Sequence, residues 1–476
     1  METIQVDVLV CGGGMSGMAC AAFAAEAGAK VLVVEKQSDV GGSSNYSAGM
    51  FWAPQTYDKL RTWIPEGDPA LQKAWLSDYL PAVQWMRENG VPTANRFDGI
   101  VTIGIGFPIK IPHLHNLHRK RIQSSKTNSD ILTNTSVVKL IQREPRVSGS
   151  SIIGAVICRN FTNSPTVYYE VRAKMVVLAT GGFQGSPAMT SKYLGQGGDN
   201  ISVRSSRGSV GDGLNLAIES GAGTSRGMNT YYGHLLAAQV RAEDVDPKDY
   251  LPLAQYQSKF CIILNEAGLR FADETTGDEI INQYLAKQQK RRGFILFNEK
   301  TRLQHCVTAL FPNAGDIDRL QKAREHGCNV GIASTLSGLV DILHGWGVND
   351  VQARRTIEEY DRVVRLGDKS ISLDAPIGRA GSPPTPLADG EGPFYAMEVQ
   401  PSITFTYGGF AIDAFACRGR DAGGFSNLGY AGGLSLAFAA GLWAAREVAC
   451  ELGLPEPRLP HADVRDGEDK PIQWRI

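Results

Sequence analysis

The stretch VDVLVCGGGMSGMACAAFA, Val6 to Ala24, followed by VLVVEK at Val31 to Lys36, decides the reading of this chain. Val6 to Cys11 reads as a strand, apolar from Val8 onward, Gly12 to Gly14 is a turn, the Ala-rich segment from Met15 suits a helix, and Val31 to Val34 is a second strand. Gly12, Gly14 and Gly17 complete G-x-G-x-x-G. In that pattern the first glycine makes the tight turn, the second lets backbone approach a pyrophosphate, and the third lets the helix pack closely on the sheet. Met15 and Ser16 stand at the helix N-terminus, where free N–H groups and the helix dipole favour phosphate. Glu35 follows Gly12 by 23 residues (35 − 12), near the spacing at which an acidic side chain accepts hydrogen bonds from ribose hydroxyls, with Lys36 beside it. Taken in order, these features predict an α/β dinucleotide-binding unit.

The next segment, DVGGSSNYSAGMFWAP from Asp39 to Pro54, is built of small and hydroxyl side chains. Such residues let backbone N–H groups approach a flat ring edge and supply donors without bulk. Gly41, Gly42, Ser43, Ser44, Ser47 and Gly49 match a G-G-x-S-x-x-S-G-G-type loop. On these residues the chain resembles the fumarate reductase and succinate dehydrogenase flavoprotein superfamily, which includes tricarballylate dehydrogenases and 3-ketosteroid dehydrogenases. The resemblance implies FAD, with this loop beneath its isoalloxazine. It also implies a Rossmann-like, glutathione-reductase-type FAD-binding domain carrying an inserted α+β capping domain. No histidine adjoins the loop where covalent members attach the flavin, so FAD is expected to be held non-covalently.

NSDILTNTSVVKLI (Asn128 to Ile141), SSIIGAVICRN (Ser150 to Asn160) and TVYYEVRAKMVVLATGGF (Thr166 to Phe183) read as strands. The last resembles the superfamily strand that re-enters the FAD sheet, which puts Ala179, Thr180 and Gly181 at the cofactor; Val138 and Asp212 are further expected FAD contacts. From Thr224 the pattern changes to charged helical segments such as DEIINQYLAKQQKRR and DVQARRTIEEYDRVVR. By resemblance, 224–384 is the capping domain that closes over the substrate, and 1–223 with 385–476 form the FAD domain. A Pro/Gly-rich hinge, Gly378 to Pro393, joins them, and the last dozen residues read as a polar tail. Near the C-terminus, Gly432 and Gly433 open a long helix. Its first amides, with Leu434 and Ser435, are expected at the pyrimidine edge of the flavin, where the helix dipole favours negative charge on reduction.

Glu274, Arg302, His234 and Tyr430 are the catalytic candidates. ILNEAGLRFADE (Ile263 to Glu274) resembles the superfamily's N-x-x-G-x-R-F-x-x-E element and places Glu274 at the mouth of the site. FNEKTR (Phe297 to Arg302) resembles the segment bearing the proton-donating arginine of soluble fumarate reductases, so Arg302 is the matching residue. An arginine stays charged unless a carboxylate carries the proton traffic, the role Glu274 would take. YYGHLL (Tyr231 to Leu236) lies where those reductases have a substrate-binding histidine, which singles out His234. The cluster IPHLHNLHRKR, with His113, His115 and His118, has no Cys or acidic ligand beside it and reads as a basic loop near the substrate channel, so no metal is expected.

Two departures shape the functional reading. Where fumarate reductases bind substrate carboxylates with a histidine and an arginine, this chain has Thr404 or Phe405, and Tyr430. A tyrosine at the latter place resembles ketosteroid dehydrogenases, in which it polarises a ketone and acidifies the neighbouring C–H. In addition, only the 16 residues from Ala414 to Gly429 separate Asp413 from Tyr430, about 15 fewer than in relatives, enough for a strand and its turn. Arg420 then falls where relatives carry an acidic residue near the ribityl chain.

Composition bounds the alternatives. At 476 residues the chain is too long for one core, and a formal net charge of −1 offers nothing to nucleic acid or an anionic membrane. Eight cysteines without a C-x-x-C pair, and no leader or spanning segment, read as a cytoplasmic protein. The expectation is an FAD-dependent dehydrogenase or reductase acting on a carbon–carbon bond next to a carbonyl. Its partners would be a small-molecule substrate, of ketone or biosynthetic-intermediate type, and an external electron acceptor or donor. A redox-neutral isomerase or epimerase, and a flavin-poor pseudoenzyme, remain as alternatives.

Overall fold

A computed structural model describes residues 1–100, 103–145, 147–161, 164–240, 245–246, 249–309, 315–366, 386–388, 392–412, 425–426, 429–430 and 432–462. The chain divides into two compact units. The first is built from residues 1–199, 205–231 and the described residues after 404, the second from 200–204 and 232–404.

In the first unit, β1 (Glu2–Cys11) lies between two parallel neighbours, β2 (Val31–Val34) and the strand Ser164–Leu178. Asp130–Leu132 extends the sheet beyond β2 in parallel, while Ile152–Phe161 and Thr135–Gln142 extend the other side antiparallel. Alternation in β1 explains the apolar run Val8 to Cys11 at its end. Val8 and Val10 enter one core cluster and Leu9 and Cys11 enter another, so both faces of the strand are covered. The helix α1 (Met15–Ala27) is buried along nearly its whole length and packs against the helix Leu434–Leu452. It ends at Gly28, whose φ of 109° lets its N–H reach back to the carbonyls of Ala24 and Ala25.

The second unit is organised around the strand Phe394–Ile403. Gly293–Asn298 and Val330–Ala333 pair with it antiparallel, Leu235–Ala237 pairs with its later half, and Ser202–Val203 runs parallel at its end. This strand was expected in the FAD domain from its position after residue 384. Its ladder partners place it instead at the centre of the second unit's sheet, and the division falls at 231/232 and 404/405. The charged segment Asp350–Leu366 is a helix, as its spacing predicts, and it packs its apolar side on Leu336–Gly345. Most of the expected hinge at 378–393 and the polar tail lie outside the described residues.

The histidine cluster is helical rather than a loop. Pro112 sits in the first turn of Ile111–Gln123, and Ile111, Leu114, His115, His118 and Ile122 form its buried face. His118 is fully buried, stacked on Trp85 at 5.7 Å and beside Phe23 and Phe438, and neither ring nitrogen has a hydrogen-bond partner. Burial drives its pKa well below the ordinary histidine value, and burial takes His115 down to about 4. The folded chain therefore binds fewer protons here than the unfolded chain does. The sign follows: this stability is fully present above the unfolded histidine value near 6.5 and is lost as pH falls below it. His118→Phe, which keeps the stacked ring and removes the unpaired polar atoms, is expected to stabilise the protein by about 1 kcal/mol. It should also flatten the acid side of the stability curve; thermal midpoints between pH 5 and 8 read both effects.

Candidate functional site

Two adjoining grooves open in the first unit, and both use the carboxyl ends of its strands. The first, of about 720 Å³, is lined by Cys11, Gly12, Gly14, Met15 and Ser16 from the β1–α1 turn and by Val34, Glu35 and Lys36 from the end of β2. Gly42 and Ser43, Thr135 to Val137, Ala179 to Gly181, Ser206, Gly208, Ser209 and Asp212 complete it. The second, of about 690 Å³, is lined by Trp75, Gly182, Gln184, Phe405 to Tyr407, Phe425, Ser426, Tyr430, Gly432, Gly433 and Leu436. Ser43 and Gly181 line both, so one elongated ligand can enter the second groove from the first.

The turn that shapes the first groove follows from its glycines. Gly12 has a φ of +110°, and a Cβ there would strike the carbonyl of Ala179. A Cβ on Gly17 would overlap the carbonyl oxygen of Gly12, which is how closely α1 approaches β1. Gly14 differs: a Cβ there meets nothing within 4 Å, because it would project into the groove. Glu35 is buried, with one carboxylate oxygen accepting from Gly13 N–H at 2.7 Å and the other from Gln37 N–H at 2.8 Å. Lys36 pairs with Asp212 at 2.6 Å.

These features fit a dinucleotide. The Ser16 hydroxyl is buried in the groove wall at the start of α1 without any protein partner, a donor waiting for an acceptor such as a phosphate oxygen. Most expected cofactor residues line the two grooves, but several hold the site from behind. The Ser44 hydroxyl donates to the Gly41 carbonyl and meets His115 Nε2 at 2.7 Å, while Ser47 accepts from Gly49 N–H at 3.1 Å. Val138 was misassigned: it is 45% exposed, and its neighbour Val137 faces the groove, as strand alternation requires. Leu434 is core. Ser435 donates to the Trp52 carbonyl and accepts from Trp75 Nε1, so the groove is met by Gly432, Gly433 and Leu436 instead. Sequence reasoning missed Ser206, Gly208 and Ser209, although the run SSRGSVG was a visible signal. It also missed Trp75, which no local pattern marks. Arg420 and the shortened segment around it lie outside the described residues.

The four catalytic candidates divide. Tyr430 lines the second groove; its hydroxyl accepts from Gly433 N–H at 3.2 Å, and its ring stands edge-on to Trp52 at 5.1 Å. The other three belong to the second unit. Glu274 is buried and takes Arg270 Nε at 2.8 Å and Ile263 N–H at 3.1 Å. Arg302 is held by Glu299 at 2.9 Å and Asp318 at 2.6 Å, and the Glu299 hydrogen bond, followed by the Asp318 charge, raises its pKa further. The expected Glu274–Arg302 relay is thus replaced by two separate ion-pair systems. His234 is buried between Asp278 and Tyr232. Among the described residues, His234, Asp278 and Glu279 place donor atoms within 4.8 Å of one another.

The sequence model of the FAD binding domain family matches residues 7–425, so the chain belongs to that family. It is 25% identical over 440 residues to a fumarate reductase (cytochrome) of Shewanella frigidimarina, covering 86% of this chain and 68% of that one. Against the urocanate reductase of Eggerthella lenta, identity is 26% over 455 residues, with 87% and 67% covered. The vinyl phenol reductase of Lactiplantibacillus plantarum is 30% identical over 294 residues, 56% of each chain. In fold, the chain resembles the 3-ketosteroid delta1-dehydrogenase of Sterolibacterium denitrificans with a TM-score of 0.69 at 18% identity, covering 94% of this chain and all of that one. This chain is an FAD-dependent oxidoreductase.

Gly14→Ala separates fold from cofactor. The φ of −75° at Gly14 suits alanine, so the variant is expected to fold with an unchanged melting curve measured without flavin. The methyl occupies the pyrophosphate space, and FAD occupancy after reconstitution should be lost. Glu35→Ala should weaken FAD by roughly 1.5–3 kcal/mol, the range for hydrogen bonds to a charged group. Equal flavin absorbance in wild type and Gly14→Ala would displace the nucleotide from this groove.

Proposed function

We propose that this member of the FAD binding domain family adds or removes hydrogen across a carbon–carbon bond next to the carbonyl of an uncharged, ring-containing ketone. The observation that carries the reading is the second groove: its described lining is aromatic and hydroxyl or amide, with no Lys, Arg, His, Asp or Glu. Such a wall gives a dicarboxylate nothing to pair with and favours a flat apolar body carrying one polar group.

FAD, held non-covalently in the first groove, supplies the hydride acceptor or donor. The protein's own contribution begins at Tyr430. Its hydroxyl accepts from Gly433 N–H, which strengthens it as a donor toward a substrate carbonyl and toward the enolate charge that develops there. Trp52 fixes the ring, and Trp75, Phe405 and Phe425 exclude water around it. Arg302 is the competing proton donor, but its two carboxylates make it a weaker acid than a free arginine.

An external electron acceptor or donor completes the cycle. Cys20, Cys261, Cys306, Cys328 and Cys450 are free thiols, which suits the reducing cytoplasm. Among the described residues no helix is long and apolar enough to cross a membrane.

Anaerobic stopped-flow tests the substrate class. Dithionite-reduced holoprotein is mixed in turn with 2-cyclohexen-1-one, a 3-keto-4-ene steroid, 4-vinylphenol, urocanate and fumarate. Reoxidation by an enone but not by fumarate is the expected result. Reoxidation by fumarate alone would overturn the reading, and enone conversion without any flavin change would point to the isomerase. On the accepted enone, Tyr430→Phe should keep FAD and slow turnover about 10²- to 10³-fold, whereas Arg302→Lys should be tolerated. The reverse pattern would return the proton chemistry to Arg302.

A further inference from the structure

The two histidines on the buried face of Ile111–Gln123 differ in one respect. Neither ring nitrogen of His118 has a hydrogen-bond partner, whereas His115 Nε2 lies 2.7 Å from the Ser44 hydroxyl, with both side chains buried. Ser44 in turn donates to the Gly41 carbonyl at 2.5 Å. A serine hydroxyl has one hydrogen and a carbonyl has none, so that hydrogen goes to Gly41. The Ser44 oxygen then accepts from His115, whose proton sits on Nε2. Nδ1, buried without a partner, is the bare nitrogen. Burial takes the ring down to about 4 despite the charge of Asp39, which leaves it neutral around pH 7.

The donor chain therefore runs one way, from His115 Nε2–H to Ser44 O–H to the Gly41 carbonyl. It ends on the peptide whose N–H belongs to Gly42. Gly42 lines the first groove, and Ser43, next along, lines both. A peptide that accepts at its carbonyl becomes a stronger donor at its N–H, because hydrogen-bonded chains polarise their members.

The surroundings hold this loop in place. Gly41 N–H donates to the Gly13 carbonyl at 2.8 Å, which docks the loop on the glycine turn. At its other end the Gly49 carbonyl accepts from Ile109 N–H at 2.9 Å, and a Cβ on Gly49, whose φ is +85°, would strike the Ile109 carbonyl. Ile109 leads into the helix Ile111–Gln123, which packs along α1. One helix and the residues that enter it thus support the serine loop from behind at two points.

We propose that His115 is a positioning residue for the cofactor: its Nε2–H, acting through the Ser44 hydroxyl, orients and polarises the Gly41–Gly42 peptide in the wall of the groove that holds FAD. The role concerns the cofactor and not the substrate, so it is independent of the carbon–carbon reading above. His118, on the same helix face and equally buried, provides the contrast of a histidine that only fills space.

NMR of flavin-loaded protein carrying isotope-labelled histidine tests the tautomer. The His115 signals, identified by their loss in His115→Gln, are expected to show the proton on Nε2 and none on Nδ1, and the Nε2 proton should shift when FAD is stripped. A proton on Nδ1 in place of Nε2, or a signal indifferent to FAD, overturns the proposal. FAD dissociation constants, read by flavin fluorescence on reconstitution, test the role. His115→Leu and Ser44→Ala should each weaken FAD about tenfold. The double variant should be no weaker than either, since both changes break one chain. His115→Gln puts an amide N–H where Nε2 stood and should keep wild-type affinity, whereas the shorter amide of His115→Asn should bind as poorly as leucine. His118→Phe should leave the constant unchanged. Wild-type affinity in His115→Leu or additive losses in the double variant would overturn the proposal. A glutamine variant as weak as leucine would overturn it too, by showing that the ring fills space and does not donate. Melting curves establish that each variant folds; where His115→Leu does not, the wild-type tautomer and the contrast between glutamine and asparagine give the same decision.

Discussion

The close approach of α1 to the end of β1, with Gly17 against the carbonyl of Gly12, is the constraint on which the first unit depends. It plants the free amides and positive end of α1 directly above the sheet, beside the carboxyl ends of β2 and Ser164–Leu178. The edge where these strands end becomes a place where an anionic, elongated ligand finds donors. Cys11, Val34, Glu35 and Ala179 line the first groove at the carboxyl ends of the parallel strands, and Thr135 to Val137 line it from the start of the strand Thr135–Gln142.

That constraint propagates into the second groove through packing. The helix Leu434–Leu452 comes so near α1 that a Cβ on Gly441 would strike the Ser16 carbonyl. Its first turn is tied to Trp52 and Trp75 through Ser435. Gly432, with a φ of +99°, turns the chain so that Tyr430 precedes the helix and faces the groove. The packing of the glycine turn and α1 thus reaches, through this helix, to the position of the phenol proposed to meet the carbonyl. Glu35 shows a related economy: its carboxylate holds the Gly13 amide in place while lying in the groove wall where a ribose would sit.

Much of this was legible because it is local. The glycine spacing, the apolar run of β1 and the MVVLATGG strand each impose their geometry within about a dozen residues, and the FAD fold, the membership and the cofactor follow from them. What the sequence hid is what arises from long-range pairing. Phe394–Ile403 looked like the start of a returning domain, and only its ladders to Gly293–Asn298 and Val330–Ala333 assign it to the second unit. The histidine cluster looked basic and open because Arg119, Lys120 and Arg121 follow it, yet helical phase turns His115 and His118 inward. Val138 was expected at the cofactor, but its side chain is exposed and it is the neighbouring Val137 that lines the groove.

The catalytic candidates carry a sharper lesson about motifs. Glu274 and Arg302 were selected because matching positions do chemistry in similar proteins, but here each is paired: Glu274 with Arg270, the arginine of the same element, and Arg302 with Glu299 of its own segment and with Asp318. An ion pair stabilises the charged forms of both members, so it removes a group from proton traffic. Asp278 and His234 behave oppositely, because burial favours the neutral form of each. Burial thus makes the charged form of each costly, whereas a closed ion pair holds both of its members charged. Environment, more than residue type at a matched position, sets which protonation form of each of these groups the fold favours.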